Sequence, residues 1–118
     1  MSRATSRVSA RANGNRFSRA IAALRDRITT ADIAERNLRL FADVLKRQGH
    51  TLYVERELGS LRVFVALADR SQMHHLTDAQ RVVVERYGEL GFDTLVLYPG
   101  DLEKESVRRL LDERTTAI

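Results

Sequence analysis

Four groups of side chains in this 118-residue chain have the types and spacings that chemistry requires. His74 and His75 are adjacent, and imidazole is a good ligand for transition metals. Neighbouring residues on a loop rarely converge on one ion, and no further histidine or acid stands at a useful helical offset, so neither a metal nor a cofactor is assigned. Glu55 and Glu57 lie two residues apart in a segment that reads as a strand, which puts them on one face roughly 7 Å apart. Such a pair could share acid and base roles or, with Asp69, hold Mg²⁺ for a nuclease; a cross-strand ion pair between Glu57 and Arg62 is the competing reading. Tyr53 and Phe64 share that face with Glu55 and Arg62, forming a patch able to meet a partner, though two aromatics without flanking lysines make a poor stacking platform for bases and covering by the α-helices is the favoured reading of the two aromatics. The fourth group is Arg3, Arg7, Arg11, Arg16 and Arg19. No acid accompanies them, so residues 1–19 carry +5 while residues 20–118, with 15 basic and 16 acidic side chains, carry −1. Surplus charge of this kind, with Arg3, Arg7 and Arg11 recurring every four residues, suits the phosphates of DNA or RNA.

The elements that must position these residues follow from periodicity. Leu52 to Ala68, LYVERELGSLRVFVALA, alternates as an antiparallel hairpin. With a type II′ turn at Gly59-Ser60, Leu58 faces Leu61, Arg56 faces Val63, Val54 faces Val65 and Leu52 faces Leu67, giving one aliphatic face. The other face then sets Tyr53 against Ala66, Glu55 against Phe64 and Glu57 against Arg62. A lone hairpin is marginal in water, so other segments should cover it. Residues 1–15 are rich in Ser, Ala and Arg with little to bury, which predicts a disordered arm ahead of a single domain spanning 16–118. Phe17, Ile21, Leu24 and Ile28 predict a helix over Arg16 to Thr29, and Ile33, Leu38, Leu40, Phe41, Val44 and Leu45 predict a second from Ala31 to Gln48, closed by Gly49. The two make a helical hairpin over the sheet rather than a helix-turn-helix.

Asp69 to Leu76 reads as a polar loop. Thr77-Asp78-Ala79-Gln80 matches a capping box that would open a helix closed by Gly91. Thr94 to Tyr98, TLVLY, reads as a strand covered on both faces, and Asp101 caps a last helix buried through Leu102, Val107, Leu110 and Leu111, ending in a frayed Thr-Thr-Ala-Ile. Strand, helix and strand over 61–98 imply a parallel pair with a right-handed crossover. The fold class is therefore α/β, bordering on α+β, with a three-stranded mixed sheet in the order α-α-β-β-α-β-α.

Composition narrows the setting. No apolar run is long enough for a membrane span, no signal-like segment follows the first arginines, and the absence of cysteine excludes a disulfide framework, so a cytoplasmic location is expected. The six glycines are scattered singly and form no phosphate-binding loop, and no serine is marked as a nucleophile. The eighteen arginines against two lysines accord with a GC-rich coding sequence as well as with phosphate binding.

The succession Leu76-Thr77-Asp78-Ala79-Gln80, helix, Gly91, apolar strand and capped helix after Pro99-Gly100-Asp101 resembles, over about residues 52–112, the C-terminal half of small PD-(D/E)XK nucleases of the virus-type replication-repair group and of archaeal Holliday-junction resolvases. In that family the central strand ends in Glu-x-Lys, which binds Mg²⁺ and activates water. Here the position reads Ala68-Asp69-Arg70, and arginine does not readily release its proton. Gln80 matches the family's glutamine, and Glu55 or Glu57 would have to supply the upstream acid. The resemblance thus implies a nuclease-like scaffold without its catalytic motif. The expected function is a non-enzymatic nucleic-acid-binding or accessory protein acting through its basic arm. The alternatives are a protein-interaction module or small phage- or plasmid-type inhibitor using the hairpin face or a sheet edge, and a Mg²⁺-dependent nuclease using Glu55, Glu57 and Asp69. An open sheet edge also makes a homodimer an expected state.

Overall fold

A computed structural model of the chain describes residues 31–118. The arm, its boundary near residue 15, the five N-terminal arginines and the first expected helix lie outside the described residues. Asp32 to Ile118 form one compact unit of mixed helix and strand.

Its centre is a hairpin of β1 (Leu52–Glu57) and β2 (Ser60–Ala66), joined by the two-residue loop Leu58-Gly59. Leu52 pairs with Val65, Val54 with Val63, Glu55 with Arg62 and Glu57 with Ser60. The turn thus sits one residue earlier than Gly59-Ser60, because glycine serves as the second loop residue, at φ +80, instead of the first. Every cross-strand partner moves by two residues. An even shift preserves the pleat, so each side chain keeps its expected face while its partner changes: Arg62 opposes Glu55, not Glu57. Leu58, expected opposite Leu61, stands at the tip and is 98% exposed.

The aliphatic face of the ribbon is covered by two helices. α1, residues 31–47, buries Ala34, Leu38, Phe41, Ala42 and Leu45 at helical spacing and ends where Gly49 takes a positive φ. α2 (Met73–Tyr87) buries Leu76, Ala79 and Val83. These side chains meet Leu52, Val54, Leu61, Val63 and Val65 in the main core, where Phe41 and Phe92 pack edge to face at 5.2 Å. At the rim, Arg56 donates two hydrogen bonds to Glu35 of α1, at 2.6 and 3.0 Å.

α2 starts a turn earlier than its Thr77-Asp78-Ala79-Gln80 sequence suggests. Asp69 accepts from the Ser71 N–H and caps a short 3₁₀ turn, Arg70–Gln72, which runs straight into the helix. The expected polar loop is therefore structured. Thr77, now inside the helix, donates back to the His74 carbonyl, and Gln80 reaches Thr94 instead of closing a capping box. Gly88, not Gly91, closes the helix, at φ +87.

β3 (Asp93–Leu97) pairs in parallel with β2, with Phe64 beside Leu95 and Val65 beside Val96. It is an edge strand, so the coverage expected on both of its faces is incomplete and Leu95 is 43% exposed. A single turn, α3 (Pro99–Leu102), leads to α4 (Glu105–Arg114), and the Asp101 carboxylate accepts from the Tyr98 N–H at 2.9 Å. α4 lies over the second face of the sheet, where Phe64, Leu97 and Leu111 form a smaller core with Tyr53, Val107 and Leu110.

The end of the chain is a fourth strand, β4 (Thr116–Ala117), rather than a frayed tail. It pairs antiparallel with β1, and Ile118 and Leu52 exchange backbone hydrogen bonds. The sheet therefore has four strands in the order β3-β2-β1-β4 where three were expected, and the order over the described residues is α-β-β-α-β-α-α-β.

One polar residue locks α1 to this assembly. Asn37, fully buried, donates to the Glu89 and Leu90 carbonyls at 2.9 and 3.0 Å and accepts from Arg36 at 3.1 Å. Gly91, at φ +84, lies against it: a Cβ there would sit 3.3 Å from the Asn37 amide nitrogen. Replacing Asn37 by Leu strands two carbonyls, so urea denaturation is expected to show a loss of about 1–3 kcal/mol. Gly91→Ala should also destabilise, through both its backbone conformation and this contact.

Candidate functional site

The chemistry-bearing side chains fall at two places in the fold. The first is the end of the sheet where the parallel strands β2 and β3 finish, the position at which α/β sheets commonly bind ligands. An open cleft of about 270 Å³ lies there, lined by His50, Thr51, Leu67, Ala68 and Gln72 among others. The 3₁₀ turn shapes its rim, since the Gln72 side chain accepts from the Ala68 N–H at 2.7 Å.

His50, 8% exposed, is the titratable group of this cleft. It leads into β1, and its Nε2 lies 2.8 Å from Nδ1 of His75 on the first turns of α2. Burial holds the His50 imidazole below the usual histidine range, the neighbouring His75 charge acts in the same direction, and the Ala66 carbonyl opposes both. With the proton of neutral His50 on the nitrogen facing that carbonyl, Nε2 accepts and His75 Nδ1 donates, which leaves a lone pair on His75 Nε2. The His74 ring stacks edge-on against His75 at 4.3 Å, and its Nδ1 donates to the Ser71 carbonyl at 2.8 Å, so its Nε2 is likewise a lone-pair nitrogen. Among the described residues no group of three or more His, Cys, Asp or Glu is placed to hold a metal ion.

Asp69, Ser71 and His74 are close in space but do not form a charge-relay arrangement. The Ser71 hydroxyl donates to the Asp69 carboxylate, while His74 faces the serine's carbonyl instead of its hydroxyl. Those bonds from Ser71 hold the Asp69 carboxyl below its ordinary range, the hydroxyl contributing most. The arrangement caps a turn.

The second place is the α4 side of the hairpin. Here Glu55, expected on an exposed face, is 4% exposed. Arg62, its cross-strand neighbour, approaches one carboxylate oxygen to 3.4 Å, and Arg114 from the last turn of α4 approaches the other to 3.9 Å. Tyr53 and Phe64, expected to share a partner-binding patch with Glu55 and Arg62, belong to the core beneath α4. Of those four, Arg62 remains exposed.

The three carboxylates with which a nuclease would work are not gathered. Glu55 lies buried in mid-strand and Glu57 is exposed beside the hairpin loop. Asp69 lies beyond the opposite end of β2: Ala66 alone is four residues, roughly 13 Å, past the partner of Glu55. His50 is the functional candidate missing from the sequence reading, because its partner is 25 positions away and the pair has no local signature. No family model, curated protein or solved structure matches the chain.

Two outcomes follow from these environments. Folding makes His50 harder to protonate, so its contribution to stability is complete above the ordinary histidine value of about 6.5 and declines as the pH falls towards its lowered value. Urea midpoints for the wild type should therefore drop between pH 7.5 and 5, and His50→Gln should flatten part of that drop. For Glu55, the arginines are half exposed and the carboxylate is not. Removing both arginines strands a buried charge and should cost about 1–3 kcal/mol, whereas Glu55→Gln, which leaves hydrated arginines, should cost less.

Proposed function

We propose that the protein binds nucleic acid through its arginine-rich N-terminal segment, and that residues 31–118 form a charge-compensated body serving it in an accessory, non-catalytic role. The observation that carries this reading is where the charge lies. Residues 1–30 hold seven basic and one acidic side chain, while residues 31–118 hold thirteen basic and fifteen acidic. A net +6 thus precedes a body of −2.

The ion pairs of the body sharpen the contrast. Seven of its basic residues, Arg47, Arg56, Arg62, Arg81, Lys104, Arg109 and Arg114, lie within 4 Å of a carboxylate. A phosphate approaching any of these must compete with an acid already in place. Surface pairs of this sort add little stability, but they do cancel the local potential that would attract a polyanion. Arginines without acids nearby in sequence, as in residues 1–19, keep that potential.

Because phosphate contacts release counterions, affinity should fall steeply with salt, with a slope of about 0.9 per neutralised phosphate on duplex DNA. Changing Arg3, Arg7, Arg11, Arg16 and Arg19 to Ala in the full chain is expected to weaken binding at every salt concentration and to reduce the slope by about 4.5. Changing Arg81 and Arg109, which pair with Asp78 and Glu105 on their own helices, should leave it nearly unaltered. Fluorescence anisotropy titrations across a salt series make the comparison. Equal slopes for the five-arginine variant and the wild type would remove the proposal.

A further inference from the structure

We propose that two copies of the chain join through the outer edges of their β3 strands, antiparallel and symmetric about Leu95, so that two four-stranded sheets become one of eight. The two edges of the sheet are finished differently. At one, β4 covers Tyr53 and Val54, and the rest of β1 ends in the charged run Glu55-Arg56-Glu57. At the other, β3 pairs with β2, and among the described residues no strand pairs with its outer side. Natural edge strands are usually blunted by lysine, proline, a bulge or an inward charge. Within Asp93–Leu97 the one such feature is Asp93, at the very start.

The backbone polarity of β3 selects the occupant. The Leu67 N–H donates to the Leu97 carbonyl at 2.9 Å, so the peptide groups of Leu97 point towards β2. Orientation alternates along a strand, so Leu95 and Asp93 point the same way, and the N–H and C=O of Thr94 and Val96 point outward. A second copy laid antiparallel with Leu95 opposite Leu95 brings each Thr94 opposite a Val96. Both are outward-facing, so each such pair exchanges two hydrogen bonds, four in all. The central leucines then form the narrow, non-hydrogen-bonded pair, in which side chains approach most closely.

Charge and apolar surface agree with that register. Asp93 falls opposite Leu97, so no acid meets an acid across the seam. Leu95 is 43% exposed on the α4 side of the strand. On the other side, Gln80 of α2 bonds to Thr94, and Val84, one helical turn further on and 44% exposed, continues the same flank. The strand is thus complementary to itself in hydrogen bonding, charge and apolar contact.

Sedimentation velocity on the full chain tests this. The wild type should show a concentration-dependent species of twice the 13.4 kDa chain mass. Leu95→Lys and Leu95→Glu, checked for folding by circular dichroism, should each remain monomeric, since like charges would face across the axis. Mixed in equal amounts, they should recover the dimer through a Lys–Glu pair. Val84→Lys, off the strand, should raise the dissociation constant at least about tenfold. A wild type that stays at monomer mass up to several hundred micromolar, a Leu95→Lys dimer of undiminished affinity, or a mixture that stays monomeric would overturn the proposal.

Discussion

The fold depends on the pairing register of one hairpin. Because the pleat has a period of two, fixing Val54 opposite Val63 fixes which side chains of β1 and β2 face α1 and α2 and which face α4. A slip of β1 by one residue would exchange its two sets, sending Glu55 into the larger aliphatic core and Val54 to the smaller. Two constraints work against that slip. Gly59 takes a conformation that other residues adopt at a cost, and the two-residue loop closes on the hydrogen-bonded pair Glu57–Ser60. The covering helices then reinforce the register through the contacts they make to each face.

Three polar groups interrupt an otherwise apolar interior, and each sits at a joint. Asn37 ties α1 to the loop between α2 and β3. Glu55 lies between the sheet and the end of α4, where Arg62 and Arg114 converge on it. His50 connects the entry to β1 with the start of α2 through His75. A buried polar group is tolerated when its partners are in place and costly when they are not, so each restricts how neighbouring elements can dock. Of the three, His50 is the one whose charged form burial disfavours, holding it below the usual histidine range.

Much of this was legible in the chain itself, for identifiable reasons. The alternation of Leu52 to Ala68 gave the hairpin and both of its faces, and the stripe through Leu38, Phe41 and Leu45 gave α1 and its buried side. The turn was misplaced by one residue because glycine can take positive φ at either loop position, and the even shift left the faces unharmed. The start of α2 was hidden by a sequence that satisfies a capping box on paper, although Leu76, Ala79 and Val83 already marked a stripe beginning before Thr77. β4 had no local signal at all, since two residues become a strand only when β1 offers them an edge. Glu55 looked exposed because alternation identifies a second face without saying whether a helix covers it. Asn37 could have been flagged: it stands on the buried side of α1, between Ala34 and Phe41, where a polar residue needs a partner.

The proposed function rests on the division of charge along the chain. The body holds seven of its thirteen basic side chains against carboxylates and covers both faces of its ribbon, with the His50 cleft at one end and, among the described residues, an unpaired strand edge at one side. The measurement that bears most directly on this account is the pattern of cross-strand Hα–Hα contacts in the hairpin, read by nuclear magnetic resonance. Close contacts between Leu52 and Val65 and between Val54 and Val63 are the predicted result. Contacts between Glu55 and Phe64 and between Glu57 and Arg62 would instead place the turn at Gly59-Ser60, and the pairing of Glu55 to Arg62 would be wrong.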